Sequence, residues 1–237
     1  LIFLAPRQEC RLPGTPAQPG RAVFPHPVPR LVTPEYRRCR ENGSRLREIM
    51  VQKGLDSTTF KGANQMSEEK NPSVLMETSM GNVTIELFKE KAPISVRNFL
   101  GYVNDKYFDG LVFHRVIESF MIQGGGMDEN MQQKETKFAI KNEAANGLSN
   151  KRGTLALART NVVDSATSQF FINVVDNGFL DHRGKSPDMF GYAVFGQVAD
   201  GMDVVDAIRK VRTGSKGGHG DVPLEPVFIK SVRLIEA

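Results

Sequence analysis

From Val74 onward, short runs of apolar residues alternate with polar ones and are separated by Gly-rich or polar loops. Val74–Met80 and Val83–Phe88 read as strands around Gly81-Asn82, a two-residue hairpin signal. In the second run Val83, Ile85 and Leu87 alternate with Thr84 and Glu86, the period of a strand with one buried face. Ala92-Pro93 opens a helix, because the N–H that proline lacks has no use in a first turn. Val96, Phe99, Leu100 and Val103 then fall at i, i+3, i+4, i+7, one apolar stripe. Further strands fit Leu111–Val116, Phe120–Gln123, Gly153–Ala158, Gln169–Val174, Ala193–Val198 and Val227–Ile235. A second helix fits Met202–Val211, with Val204, Ile208 and Val211 on its inner face. Many short strands and two helices predict a mainly β domain, a closed barrel with a helix over each open end.

The segment before Val74 differs. Residues 1–40 hold eight of the thirteen prolines, mixed with Gly and Arg, and keep no period. Such a segment buries too little apolar surface to offset its ordering entropy, so disorder is expected. Arg45 to Val51 is compatible with a helical turn or two, and residues 52–65 are polar again. The chain begins with Leu, whereas Met66-Ser67-Glu68-Glu69 has the look of an ordinary start. Residues 1–65 are therefore read as a disordered Arg/Pro-rich extension, a translated leader or expression artefact. Residues 66–72 are read as a linker and 73–237 as the folded domain.

Charge sharpens that division. The net charge of +4 combines +6 over residues 1–65 with −2 over residues 66–237. Basicity is thus a property of the extension, and no nucleic-acid partner is expected for the domain. No run of 18 apolar residues exists, so no membrane partner is expected either. Both cysteines, Cys10 and Cys39, lie in the first 40 residues. A domain without cysteine has no disulfide staple, and a reducing cytoplasmic setting is expected. His26, His114, His182 and His219 lie far apart without ligand spacing, so no metal and no cofactor are expected. Gly124-Gly125-Gly126 and the 214–220 stretch match no phosphate-loop pattern and read as turns. No heptad or other interface pattern is visible, which makes a monomer the expectation.

Three segments carry candidate chemistry. They are Phe113-His114-Arg115-Val116-Ile117-Glu118-Ser119-Phe120-Met121-Ile122-Gln123-Gly124-Gly125, Ser168-Gln169-Phe170-Phe171-Ile172, and Phe179-Leu180-Asp181 followed by Val194-Phe195-Gly196. In this order and spacing they resemble the cyclophilins, and the bacterial cytosolic type more than the shorter eukaryotic type. The resemblance covers nearly everything after Met66. It implies an eight-stranded antiparallel β-barrel capped by two α-helices and a peptidyl-prolyl cis/trans isomerase acting on proline-containing polypeptides. It also implies that Arg115 contacts the prolyl nitrogen and that Gln123 holds the substrate backbone. Phe120, Met121, Phe171 and Leu180 would form the proline pocket, with Phe179 and Tyr192 beside it. Gln169 and Ala158-Arg159-Thr160 would line the neighbouring groove and bind the peptide as an added strand.

The residues themselves admit plainer readings. An Arg in a β-run is ordinarily a solvated or paired charge. Phe120, Met121 and Phe171 would ordinarily be core, and alternation does not separate a pocket wall from a barrel interior. Phe113, Phe170, Ile172 and Phe195 are assigned to the core. His114 and Arg115 point to opposite faces of a strand, so His114 is read as structural. Many eukaryotic relatives have Trp where Phe179 stands, and its indole N–H bonds cyclosporin. Phe lacks that donor, so weak cyclosporin binding is expected. Tyr192 stands roughly where the family often has His, and the insertion 182–190 lengthens the adjoining loop. A proline-peptide binding module or chaperone without turnover would use the same groove, but would not need Arg115.

Overall fold

The computed structural model describes residues 70–235. The expectations for the 1–65 extension and its helical turn, together with Cys10, Cys39 and His26, lie outside them. Its elements run β1 (Ser73–Thr78), β2 (Gly81–Leu87), α1 (Pro93–Asn104), β3 (Arg115–Ile117), β4 (Met121–Gly124), β5 (Thr154–Leu157), β6 (Phe170–Asn173), β7 (Val194–Asp200), α2 (Met202–Ile208), β8 (Thr213–Lys216), β9 (His219–Pro223) and β10 (Ile229–Ile235). Eight strands form one sheet, ordered β10-β1-β2-β7-β5-β6-β4-β3, with every pair antiparallel.

This is the expected eight-stranded, two-helix β architecture, with one correction. The sheet is not a ladder closed all round, because β3 and β10 are its two ends. The segments leading into them meet instead. Gly110 N–H bonds the Ile229 carbonyl at 2.9 Å, Ile229 N–H bonds Leu111 at 2.7 Å, and Phe113 N–H bonds Val227 at 2.9 Å. The reason is length: β3 has three residues and then turns, as Phe120 N–H bonds back to the Ile117 carbonyl.

The first hairpin also turns two residues earlier than its sequence signal. Thr78 pairs with Gly81, so Ser79-Met80 is the turn. Thr78 Oγ1 organises it, donating to the Gly81 carbonyl and accepting from Met80 N–H. Gly81 serves a different purpose from a turn residue. Its φ is +136°, and a Cβ there would lie 2.7 Å from Val204 on α2, so glycine lets the helix sit against β2.

Helix α1 begins at Pro93, and its free N–H groups are satisfied from a distance. Ile94 and Ser95 N–H, and Ser95 Oγ, all donate to the Glu143 carboxylate. An anion at that end also suits the helix dipole. Its buried stripe includes Phe99, whose ring meets Phe108, Phe170 and Phe195 at 5.1–5.7 Å between centroids. Helix α2 stops at Ile208, short of the expected Val211; Val211 N–H reaches only to the Ile208 carbonyl, a tighter turn. The stretch read as turns at 214–220 belongs largely to the β8–β9 hairpin.

Candidate active site

The described residues hold two separate apolar clusters. The larger fills the inside of the sheet and includes Phe113, Ile122, Phe170, Ile172 and Phe195. The smaller consists of Met121, Ala156, Phe171 and Val194, with Phe120, Leu180 and Tyr192 packed against it. Strand register explains the split. Ile122 and Ile172 oppose each other and face inward, while Gln123 opposes Phe171 and faces outward. Arg115 opposes Gln123, and Phe171 opposes Ala156, so one outward row crosses β3, β4, β6 and β5.

Over this row lies an open pocket of about 230 Å3, lined by Arg115, Phe120, Met121, Gln123, Ala158, Arg159, Phe171, Leu180 and Tyr192. Met121 and Phe171 form its buried floor, and the Arg115 side chain stands half-exposed on its rim. Three expected site residues stand just outside. Gln169 accepts a hydrogen bond from Gln123 Nε2 at 2.9 Å, and its side chain crosses Gly126, where a Cβ would lie 2.4 Å away. The glycine run therefore clears space for Gln169. Phe179 is 60% exposed and stacks on Phe120 at 5.6 Å. Thr160 is exposed and tied to Ser165 through both its N–H and its hydroxyl.

Arg159 behaves differently from a free groove residue. Its guanidinium stacks on Tyr192, 4.9 Å from the ring centroid. Nε donates to the Gly191 carbonyl at 3.0 Å, Nη1 to Thr160 at 2.9 Å and Nη2 to Pro187 at 2.6 Å. It thus braces the 182–190 insertion against the pocket wall.

A second layer of polar residues, missed in the sequence, holds the wall in place. Asn177 Nδ2 donates to the Phe120 carbonyl and to Asn173 Oδ1, and Asn173 Nδ2 donates to Thr154 Oγ1. Asp181 accepts from Ser149 Oγ, Asn150 N–H and Asn150 Nδ2, fixing the turn that presents Leu180. Burial works to raise the Asp181 carboxyl pKa, but these hydrogen bonds outweigh it and hold the pKa below the ordinary value. Asn150, Asn173 and Asn177 are all buried. No sequence period marks a buried Asn, and only the fold reveals that these meet.

His114 is buried beneath Arg115's strand position. Desolvation, together with the charges of His219 and Arg115, lowers its pKa to about 4, so it is neutral at pH 7. The pocket lining contains no carboxylate, Ser or Thr hydroxyl, thiol or imidazole, and its one hydroxyl is the Tyr192 phenol. What it offers is an apolar recess beside cationic and amide donors. That arrangement can hold a small apolar ring and donate hydrogen bonds to an acceptor next to it.

Comparison with known proteins agrees. The family model described as "Cyclophilin type peptidyl-prolyl cis-trans isomerase/CLD" matches residues 73–234. The chain is 55% identical over 163 residues to a peptidyl-prolyl cis-trans isomerase of Streptomyces antibioticus, spanning 69% of this chain and 98% of that protein. It is also 55% identical to peptidyl-prolyl cis-trans isomerase B of Escherichia coli, spanning 69% and 99%. A crystal structure of a Cryptosporidium parvum cyclophilin type isomerase superposes with a TM-score of 0.58 at 22% identity, covering 70% of this chain and 99% of that one. A second crystal structure of that protein, obtained in the presence of the dipeptide Ala-Pro, gives 0.57 at 23% identity. This chain belongs to the cyclophilin-type peptidyl-prolyl cis-trans isomerases and is an isomerase of that class. No helix among the described residues is long and apolar enough to cross a membrane.

Proposed function

We propose that isomerisation takes place in the Arg115 pocket, with Arg115 acting on the prolyl nitrogen and Gln123 on the peptide backbone. A planar X–Pro amide rotates slowly because the nitrogen shares its lone pair with the carbonyl, a barrier of about 20 kcal/mol. Twisting breaks that sharing, and the pyramidal nitrogen gains a lone pair that accepts a hydrogen bond. A donor fixed at that point binds the twisted state more tightly than either planar state. A guanidinium suits this role, being always charged with rigidly spaced N–H groups. The observation that carries the reading is the register that sets Arg115 beside Gln123 and Phe171 on one face. Met121, Phe171, Phe120 and Leu180 then receive the proline ring, with Phe179 supporting Phe120 from outside. Gln169, Arg159 and Thr160 shape the groove beyond it.

The test is cis-to-trans isomerisation of a short Ala-Pro-Phe peptide by the full chain and by Arg115→Ala. Loss of a donor to the transition state is expected to lower kcat/KM by about 100-fold or more. An Arg115→Ala rate equal to wild type removes Arg115 from the mechanism.

Finer readings accompany this one. Phe179 has no N–H to donate, so cyclosporin binding is weak, and nanomolar inhibition on titration would contradict it. A monomer fits a sequence with no heptad or other interface pattern, and a cytoplasmic setting fits a domain built without cysteine. Sedimentation and cell fractionation test those two points.

A further inference from the structure

The β8–β9 hairpin stands outside the eight-stranded sheet and packs against β3, the short strand that begins with Arg115. Its turn is Gly217-Gly218, both left-handed, between the paired residues Lys216 and His219. Pairing then slips: Gly214 opposes Val222, while Lys216 opposes His219. Ser215 therefore faces two residues, Gly220 and Asp221, across a bulge. Bulges redirect side chains, and this one holds Asp221 at a φ of +59°. The result is an Asp221 carboxylate with Oδ2 3.5 Å from Arg115 Nε.

The hairpin is a firm base for that carboxylate. Lys216 Nζ bonds the Glu129 carbonyl at 2.7 Å, and Leu224 N–H bonds the Arg212 carbonyl at 2.9 Å. Val222, next to Asp221, is buried beside Phe113 and Met131. Stability does not account for the arrangement. Both partners are half-exposed, and such a pair adds little to folding. A side chain at positive φ is itself unfavourable, and glycine would adopt this backbone more readily.

We infer that Asp221 is a positioning residue for isomerisation: the bulged β8–β9 hairpin delivers its carboxylate to Nε of Arg115, leaving the terminal Nη groups aimed at the substrate. This rests on the role of Arg115 given above. A guanidinium on a long, half-exposed side chain samples many rotamers when free. Fixing Nε restricts it to the one fork orientation that meets the prolyl nitrogen, which is where orientation acts on rate.

The test uses the full chain with Asp221→Gly and Asp221→Asn, alongside Arg115→Ala. A capped, uncharged Ala-Pro-Phe peptide removes any direct effect of the carboxylate's charge on substrate. Asp221→Gly suits the backbone, so its melting temperature is expected not to fall. Its kcat is expected to drop about tenfold with KM nearly unchanged. The Arg115 Nε–H signal in NMR is expected to broaden as its exchange with water quickens. Asp221→Asn, which keeps an acceptor oxygen, is expected to fall between Gly and wild type. An unchanged or raised kcat in Asp221→Gly, or a loss carried by KM alone, overturns the positioning role. Arg115→Ala separates the two readings. If it is impaired while Asp221→Gly is not, only the positioning inference fails; if it too is active, the Arg115 assignment fails.

Discussion

Phe170 and Phe171 are neighbours on β6, both almost wholly buried, and they serve different ends. Phe170 points inward, where its ring meets Phe99, Phe108 and Phe113 edge-on. Phe171 points outward into the smaller cluster and meets Tyr192 at 5.7 Å. Inside, rings pack on rings, and the hydroxyls of Tyr102 and Tyr107 find backbone partners at Lys137 and Lys134. Outside, a thin apolar layer is left open at the top and framed by Arg115, Gln123 and the Asn–Asp network. One strand thus supplies a core on one face and a binding floor on the other. The difference lies in what covers each face, and not in the residues' hydrophobicity.

Substitutions that test each face break or sharpen this comparison. Phe170→Ala carries the largest effect: a closed site leaves a cavity, and about 4 kcal/mol of stability is expected to be lost in denaturant titration. An intact transition midpoint would mean that the inner face is not the load-carrying core. Next is acid. His114 has a folded pKa of about 4 against 6.5 in the ordinary state, so unfolding takes up a proton between those values. Stability on its account is complete above about pH 6.5 and lost as pH falls towards 4, at most about 3 kcal/mol. The charged groups facing it are His219 and Arg115. His114→Gln should flatten the pH dependence of the unfolding free energy between those limits; an unchanged slope would assign it elsewhere. Asp181 adds a smaller loss in the same direction at lower pH, because a depressed carboxyl pKa stabilises above the unfolded value.

Phe171→Ala comes third. Its site opens to solvent, so it is expected to lose about 2 kcal/mol, less than Phe170→Ala. Its peptide KM should rise strongly, whereas Phe170→Ala, where still folded, should keep an ordinary KM. Equal KM values in the two variants would erase the distinction between faces. The smallest effect is expected from Phe179→Trp. An indole N–H on the exposed ring should tighten cyclosporin about tenfold, the worth of one added hydrogen bond, with kcat/KM almost unchanged. Isothermal titration and the peptide assay together read both outcomes.

The sequence by itself determined the elements. All eight of its strand runs overlap a strand of the large sheet, and the stripe of α1 is equally plain, because a buried face imposes a period on the chain that builds it. The ordered motifs around Arg115, Phe171 and Leu180 also named the pocket residues that later converge. The β8–β9 hairpin was hidden because Thr-Gly-Ser-Lys and His-Gly-Asp bury almost nothing and so alternate nothing. The turn at Ser79-Met80 was misplaced because Gly81 signals a close helix and not a bend.

Only the tertiary structure decided which of two apolar faces became the pocket. Strand alternation is symmetric, and Phe170 and Phe171 look alike until register sets one beside Ile122's strand interior and the other beside Gln123. Only the fold brought Asn150, Asn173, Asn177 and Asp181 together, or set Asp221 beside Arg115 across 106 positions of chain. Contacts between residues far apart in sequence leave no local period, so they exist only once the chain has closed upon itself.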